Sequence, residues 1–165
     1  MSIEWLRLKI KYLQLQIAII MLQDKQLDKT RREQLFEQAQ SFIGKDASPS
    51  DMVHDDLGCA ESVTAILQTV IDFPIITGTW TLNDRLAKDS RFRAVTNYQK
   101  GDIIISPTGT GNGNIRGHVG ICAKGDGIMS NTSTDGIWRE NYTQKGWRDR
   151  YKVHGGMPIN YYRLT

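Results

Sequence analysis

Cysteine and histidine are the side chains of this sequence best suited to nucleophilic catalysis, and few of them are present. The chain has two cysteines and three histidines among 165 residues. Cys59 follows Gly58 at the start of a helical pattern, where free backbone N–H groups and the helix dipole stabilise a thiolate. The sequence therefore predicts a lowered pKa for this thiol and an oxyanion hole beside it. The alternative is that Cys59 is a small core residue, as free cysteines often are.

His118 is the histidine best placed to act as a base for that thiol. It begins a strand pattern after the turn-rich segment 109–117, and a Cys/His pair activates the sulfur by removing its proton. A solvated histidine at a strand end is the alternative. His54 and His154 lie in polar loop sequence and are predicted at the surface. Cys122, four residues after His118, shares its strand face and is predicted to be a core residue, with a second thiol near the site as the alternative.

Composition excludes several other kinds of chemistry. Three histidines scattered along the chain do not form the pattern of a zinc site, so we expect neither a metal nor another cofactor. Two cysteines are too few for a disulfide scaffold. A net charge of +3 is too small to indicate binding to nucleic acid, and no such partner is expected.

The elements that must position these residues follow an α+β order. Helical patterns come first, and strand patterns separated by Gly/Asn-rich turns come after them, which predicts helices packed on an antiparallel sheet. The predicted helices cover residues 59–71 and 79–88, and the predicted strands cover 101–105, 118–122, 127–130 and 159–164.

Residues 1–44 are predicted to form a helical arm, followed by a compact domain over 45–165. A first apolar row has the 4-3-4-3 spacing of a helical seam, and a second row runs beside it. A further helical pattern covers 27–42. A surface this apolar needs a partner, so the arm packs on its own domain, self-associates or docks into a larger assembly. The two rows are Leu6, Ile10, Leu13, Ile17 and Ile20, and Leu8, Tyr12, Leu15, Ile19 and Leu22.

The N-terminal sequence predicts neither a signal peptide nor a transmembrane helix. Arg7, Lys9 and Lys11 interrupt the apolar pattern, and no small-residue cleavage site follows. The longest uninterrupted apolar run, 17–22, is far shorter than the about 20 residues that a membrane span needs. We therefore expect synthesis in the cytoplasm and delivery by other means.

Three blocks of the sequence together resemble the papain-like peptidoglycan cysteine peptidases of the NlpC and CHAP types. They are GCAESV at 58–63, GDIII at 101–105 and GHVGI at 117–121, and the resemblance covers about residues 50–165. It implies a papain-like core in which the nucleophile helix packs on an antiparallel sheet. It also implies that Cys59 is the nucleophile and His118 the base.

The resemblance further implies a polar residue on the next strand that orients the imidazole. Asn131 is chosen for this role over Ser130 because its amide oxygen can accept a hydrogen bond from the ring. The alternative is that Asn131 only caps the following turn. The residue before the cysteine is Gly58 rather than an acid, and the third residue is not histidine, so the CHAP-like branch is the closer one.

The implied activity is peptidoglycan hydrolysis, as an endopeptidase or an amidase, through a thioacyl-enzyme. Bacterial peptidoglycan is then the substrate, and the arm suggests delivery by a phage tail, a virion or a related contractile device that acts in the cell wall or periplasm. The alternatives are a structural protein of a virion or tail that keeps the fold for docking, and an acyltransferase.

Aromatic and basic residues concentrate late in the chain. They either line a cleft for a sugar–peptide polymer or pack an ordinary C-terminal loop. They are Trp138, Arg139, Tyr142, Lys145, Trp147, Arg148, Arg150, Tyr151 and Lys152.

Overall fold

A computed structural model describes residues 3–49, 58–132 and 134–165, with the side chains of 3 and 25–29 left out. His54 lies outside the described residues, as does part of the polar stretch 45–52, whose Ser and Pro residues indicate a linker or entry loop. The helices are α1 (Ile3–Ser41), α2 (Cys59–Gln68), α3 (Thr79–Lys88), α4 (Gln144–Trp147) and a π-helix (Arg148–His154). The strands are β1 (Phe92–Ala94), β2 (Ile103–Ser106), β3 (His118–Cys122), β4 (Gly127–Asn131), β5 (Trp138–Thr143) and β6 (Asn160–Leu164).

The strands form one antiparallel sheet in the order β1-β6-β2-β3-β4-β5. Successive side chains of a strand point to opposite faces, so each strand serves two cores. On one face, Val119 and Ile121 pack with the helices in the larger core. On the other face, Cys122 and Ile128 pack with Trp147 in a smaller core. The burial of Cys122 in this second core confirms its predicted core position.

Helix α1 is one continuous helix of 39 residues, where the sequence indicated two successive helical patterns. Its last turns belong to the larger core: Leu35, Phe36 and Ala39 are buried there, and Trp138 Nε1 donates a hydrogen bond to the carbonyl of Ala39 (2.9 Å). The division of the chain at residue 44 remains a prediction. In the described residues, the end of the predicted arm is part of the compact fold.

The first half of α1 differs from its last turns because its apolar side chains face solvent. Ile10 is 55% exposed and Ile17 is 57% exposed, and their apolar neighbours on both predicted rows are exposed as well. Nothing in the described chain covers this surface. No helix within the described ranges combines the length and apolar character that a membrane span requires.

The predicted elements around the cysteine and histidine agree closely with the structure. Helix α3 and strand β3 have the predicted bounds, while α2 ends at Gln68 rather than at residue 71. The sequence patterns did not predict β1, β5, α4 or the π-helix. The last three of these cover residues 138–154, the aromatic and basic segment for which a loop was one interpretation.

Candidate active site

A cleft of about 810 Å³ opens where α2 begins and β3 begins. Cys59, His118 and Asn131, the three predicted catalytic residues, all line it. Tyr142 and Tyr151 from the late aromatic segment line it as well, whereas Trp138 and Trp147 of the same segment are buried in the two cores, so the cleft interpretation holds for only part of that segment. The fold thus brings together residues that are as much as 92 positions apart in sequence, Cys59 and Tyr151.

Cys59 is the first residue of α2, as predicted, but the pKa of its thiol is raised rather than lowered. Burial is the largest cause, and it takes the pKa to about 11. Hydrogen bonds from the backbone of Val119, Ala60 and Cys59 itself act in the opposite direction, and the charge of Glu61 adds to the increase. The cost of desolvating a thiolate therefore exceeds the stabilisation that backbone N–H groups at the helix start give it. The sequence-based expectation of a lowered pKa for Cys59 is wrong.

The backbone contact with Val119 places the Cys59 sulfur beside β3, next to the residue that follows His118. A glycine is needed at position 58 because a Cβ there would come within 2.9 Å of the side-chain amide of Asn131. Close packing of the α2 start against β3 and β4 thus fixes the position of the thiol.

His118 is held by a chain of two side-chain hydrogen bonds. Its Nε2 lies 3.0 Å from Ser130 Oγ, and Ser130 Oγ donates to Asn141 Oδ1 at 2.7 Å. Since the single hydroxyl proton of Ser130 is used for Asn141, Nε2 must be the donor to Ser130. This tautomer leaves Nδ1 of His118 with a free lone pair, the state that a general base requires.

Aromatic rings enclose the imidazole of His118. The ring stacks on Trp147 with centroids 5.3 Å apart and on Tyr151 at 5.9 Å, and Tyr142 lies at 5.8 Å. Trp147 is fixed in turn by a hydrogen bond from its Nε1 to Ser106 Oγ (3.1 Å). Burial lowers the pKa of His118 to about 4, with a smaller contribution from a nearby cation. At neutral pH the site therefore holds a thiol and a neutral imidazole.

Asn131 lies on the other face of β4 from Ser130, because adjacent strand residues point in opposite directions. Its Nδ2 donates to Ser62 Oγ on α2 (3.1 Å), and its Oδ1 is buried without a hydrogen-bond partner among the described residues. The hydrogen bond expected between Asn131 and the ring of His118 is thus made by Ser130 instead. The three catalytic assignments stay predictions, and this contact corrects the expected geometry of the third.

Asn141 is a residue of this site that the sequence did not predict. In the β4–β5 register, Met129 pairs with Glu140 and Ile128 pairs with Tyr142, so Asn141 is the extra residue of a bulge. A bulge re-aims a side chain, and here it accompanies the contact with Ser130. Nothing in the sequence marks the bulge.

Of the other two histidines, only His154 lies within the described residues. His154 is exposed at the end of the π-helix, as predicted for a surface residue. In residues 3–49, 58–132 and 134–165, no three His, Cys, Asp or Glu side chains group as metal ligands would.

Comparison with known proteins gives a structural match alone. No family model matches the chain, and no curated protein matches it. The fold is similar to a chain in the crystal structure of the type VI native effector–immunity complex Tae3–Tai3 from Ralstonia pickettii. That match has a TM-score of 0.52 and 18% identity, and it covers 80% of this chain and 97% of the other.

Around the cleft, a helix that begins with cysteine packs on an antiparallel sheet whose third strand begins with histidine. The structural match shows that the fold as a whole is similar. The chain has the papain-like α+β fold, and the predicted fold class is confirmed. At 18% identity the match carries the fold and no further property.

Proposed function

We propose that the protein is a cysteine hydrolase that cleaves amide bonds in the peptides of bacterial peptidoglycan. The observation that carries this proposal is one cleft lined by a cysteine at a helix start and by a histidine whose Nδ1 is free. The three sequence blocks that resemble peptidoglycan peptidases support the substrate class. The similarity to a structure of a type VI effector complex is in keeping with it.

In the proposed reaction, His118 Nδ1 takes the proton of the Cys59 thiol while the sulfur attacks the carbonyl carbon. Because the resting pair is neutral, proton transfer and attack are coupled rather than preceded by a thiolate. Backbone N–H groups at the start of α2 stabilise the oxyanion. The imidazolium then protonates the leaving amine, and the C–N bond breaks. Water attacks the thioacyl carbon while His118 takes its proton, the C–S bond breaks to release the carboxylic acid product, and the proton returns from His118 to the Cys59 sulfur.

Ser130 and Asn141 take the positioning role that the sequence assigned to Asn131. Ser130 accepts the Nε2 proton of His118 in a hydrogen bond, and Asn141 fixes the hydroxyl of Ser130. These two hydrogen bonds keep Nδ1 of His118 unprotonated and fix the orientation of its ring, as the third member of a catalytic triad does.

The test is digestion of purified sacculi by the wild-type protein beside Cys59→Ala. We expect the wild type to release new amine groups and soluble fragments, whose masses identify an endopeptidase or an amidase cut. Cys122→Ala is the matched control, since it removes the other thiol, which lies in the second core. Equal release by wild type and Cys59→Ala would refute the proposal.

Delivery as an injected effector is the form of transport that we propose. It was one of the routes expected from the sequence, and the matched complex is that of a type VI effector with its immunity protein. The phage-tail and virion routes stay predictions. Expression directed to the periplasm should lyse cells that tolerate the same protein in the cytoplasm, and no difference between the two would argue against action in the wall.

A second candidate function is assembly through the first half of α1. The exposed apolar rows around Ile10 and Ile17 favour it. Light scattering on the wild type and on Ile10→Lys/Ile17→Lys separates the possibilities: a loss of self-association together with retained hydrolysis would make the arm an assembly element of an active enzyme. Acyl transfer, the remaining alternative, is tested by products formed with an added amine.

A further inference from the structure

The charged side chains of the cleft are of one sign. Among the described residues that line it, Arg116 and Arg150 carry full positive charges, and none is Asp or Glu. The other polar lining groups are hydroxyls, amides, one thiol and one imidazole. A cleft of this composition favours a ligand that is itself negatively charged.

These two arginines differ from others in the described chain because no carboxylate neutralises them. Arg91, Arg139 and Arg163 each form an ion pair at 2.7 Å with an aspartate. Arg116 and Arg150 form no ion pair with any described residue, and both side chains are exposed. The guanidinium group of Arg150 lies over the ring of Tyr151, 5.7 Å from its centroid, but neither arginine has a carboxylate partner among the described residues, so both can accept one from a ligand.

Both arginines lie close to the proposed base. Arg116 is two residues before His118, in the segment that leads into β3. Arg150 belongs to the π-helix, where the next residue, Tyr151, stacks on the imidazole. The charge of Arg150 is felt at His118, since it contributes to the lowered pKa of that ring. π-Helical turns are rare and occur often at functional sites.

We propose that Arg116 and Arg150 bind a free carboxylate of the substrate peptide, so that the enzyme prefers acidic peptides over their amidated forms. A planar guanidinium group matches a carboxylate with two parallel hydrogen bonds, which gives orientation as well as affinity. The inference rests on the proposed function for the reaction, and it adds which chemical class of peptide the cleft selects. Peptide stems of cell walls occur with their side carboxylates either free or amidated.

The test measures binding of two matched peptides to Cys59→Ala by calorimetry. The peptides are one synthetic wall stem peptide with its carboxylates free and the same peptide with them amidated. We expect the free acid to bind at least about tenfold more tightly, and Arg150→Gln or Arg116→Gln in the same background to remove most of that preference. Arg148→Gln is the matched control, because Arg148 is exposed on the same π-helix and does not line the cleft.

The outcomes separate this inference from the proposed function. Equal affinity for both peptides, or an equal loss with Arg148→Gln, would overturn the arginine site even if the wild type hydrolyses both peptides through Cys59. Acid-selective binding that depends on Arg116 and Arg150, without hydrolysis by the wild type, would support the site and refute the enzyme. Added salt should weaken binding of the acid far more than binding of the amide.

Discussion

The two faces of the sheet contribute to the cleft in different ways. On the face that packs against α2, the Cys59 thiol is fixed mainly by backbone groups, and Asn131 bonds to Ser62 of that helix. On the opposite face, His118 is fixed entirely by side chains, through Ser130 and the stacked aromatic rings. The position of the proposed nucleophile therefore depends on the fold, whereas that of the proposed base depends on a few replaceable side chains.

Loss of the base should have the largest effect that distinguishes the two faces. His118→Ala removes the proton acceptor without disturbing the α2 face, and general-base catalysis contributes about 10²–10⁴-fold. We expect the initial rate of amine release from sacculi to fall by about 10³-fold, with unchanged far-ultraviolet circular dichroism. A rate within tenfold of the wild type would mean that another group activates Cys59.

Removal of the positioning chain should have the next largest effect. In Ser130→Ala the ring of His118 loses its acceptor, and we expect kcat to fall by about 10- to 100-fold with little change in KM.

Asn141 offers a sharper variant of the same test. Asn141→Asp keeps an acceptor for Ser130 and adds a negative charge, so it should retain more activity than Asn141→Leu and raise the pKa of His118. The acid limb of kcat/KM would then move to higher pH, a result that a merely structural role would not give. Equal activities and identical pH profiles for Asp and Leu would contradict the positioning role.

Asn131→Ala should act on stability more than on catalysis. It removes the hydrogen bond to Ser62, so we expect a decrease of about 1 kcal/mol in the free energy of unfolding, measured by urea denaturation. Its effect on kcat should be smaller than that of Ser130→Ala. If Asn131→Ala lowered kcat more than Ser130→Ala, Asn131 would be the residue that orients the ring. The two faces of the sheet would then not differ in the way described.

The smallest expected effect is a shift of the pH profile. His118 must be neutral to act, and since burial lowers its pKa to about 4, kcat/KM should rise through about pH 4 and be level at neutral pH. Arg150→Gln removes a positive charge near the ring, so the pKa of His118 rises and the acid limb moves to higher pH. If the acid limb of Arg150→Gln lay at the same pH as in the wild type, or at a lower pH, the charge of Arg150 would not act on His118.

The sequence predicted the parts of this molecule that depend on local pattern. The bounds of α3 and β3 and the joint position of Cys59 and His118 followed from periodicity, breaker residues and a resemblance. It did not predict the direction of the Cys59 pKa shift, because burial is a property of the assembled core.

The difference between the expected and the observed contact at the third position has a similar physical origin. The chemistry of Asn131 suits the predicted role, but the alternation of β4 turns its side chain toward Ser62 and turns Ser130 toward the ring of His118. Both faces of β4 are buried, so its sequence has no apolar–polar alternation to show which residue faces the base. The bulge at Asn141 depends on pairing between β4 and β5, which no local pattern encodes.

The unbroken course of α1 has a geometric consequence for any partner of its exposed half. A helix rises 1.5 Å per residue, so the stretch from Ile3 to Thr30 extends about 40 Å beyond the turns that enter the core. Because the helix is continuous, a partner that binds the chain near Trp5 would hold the cleft at a fixed distance from its own surface. A flexible linker of the same length would instead allow that distance to vary. The arm would then act as a spacer that determines which layer of a target the catalytic groups can touch.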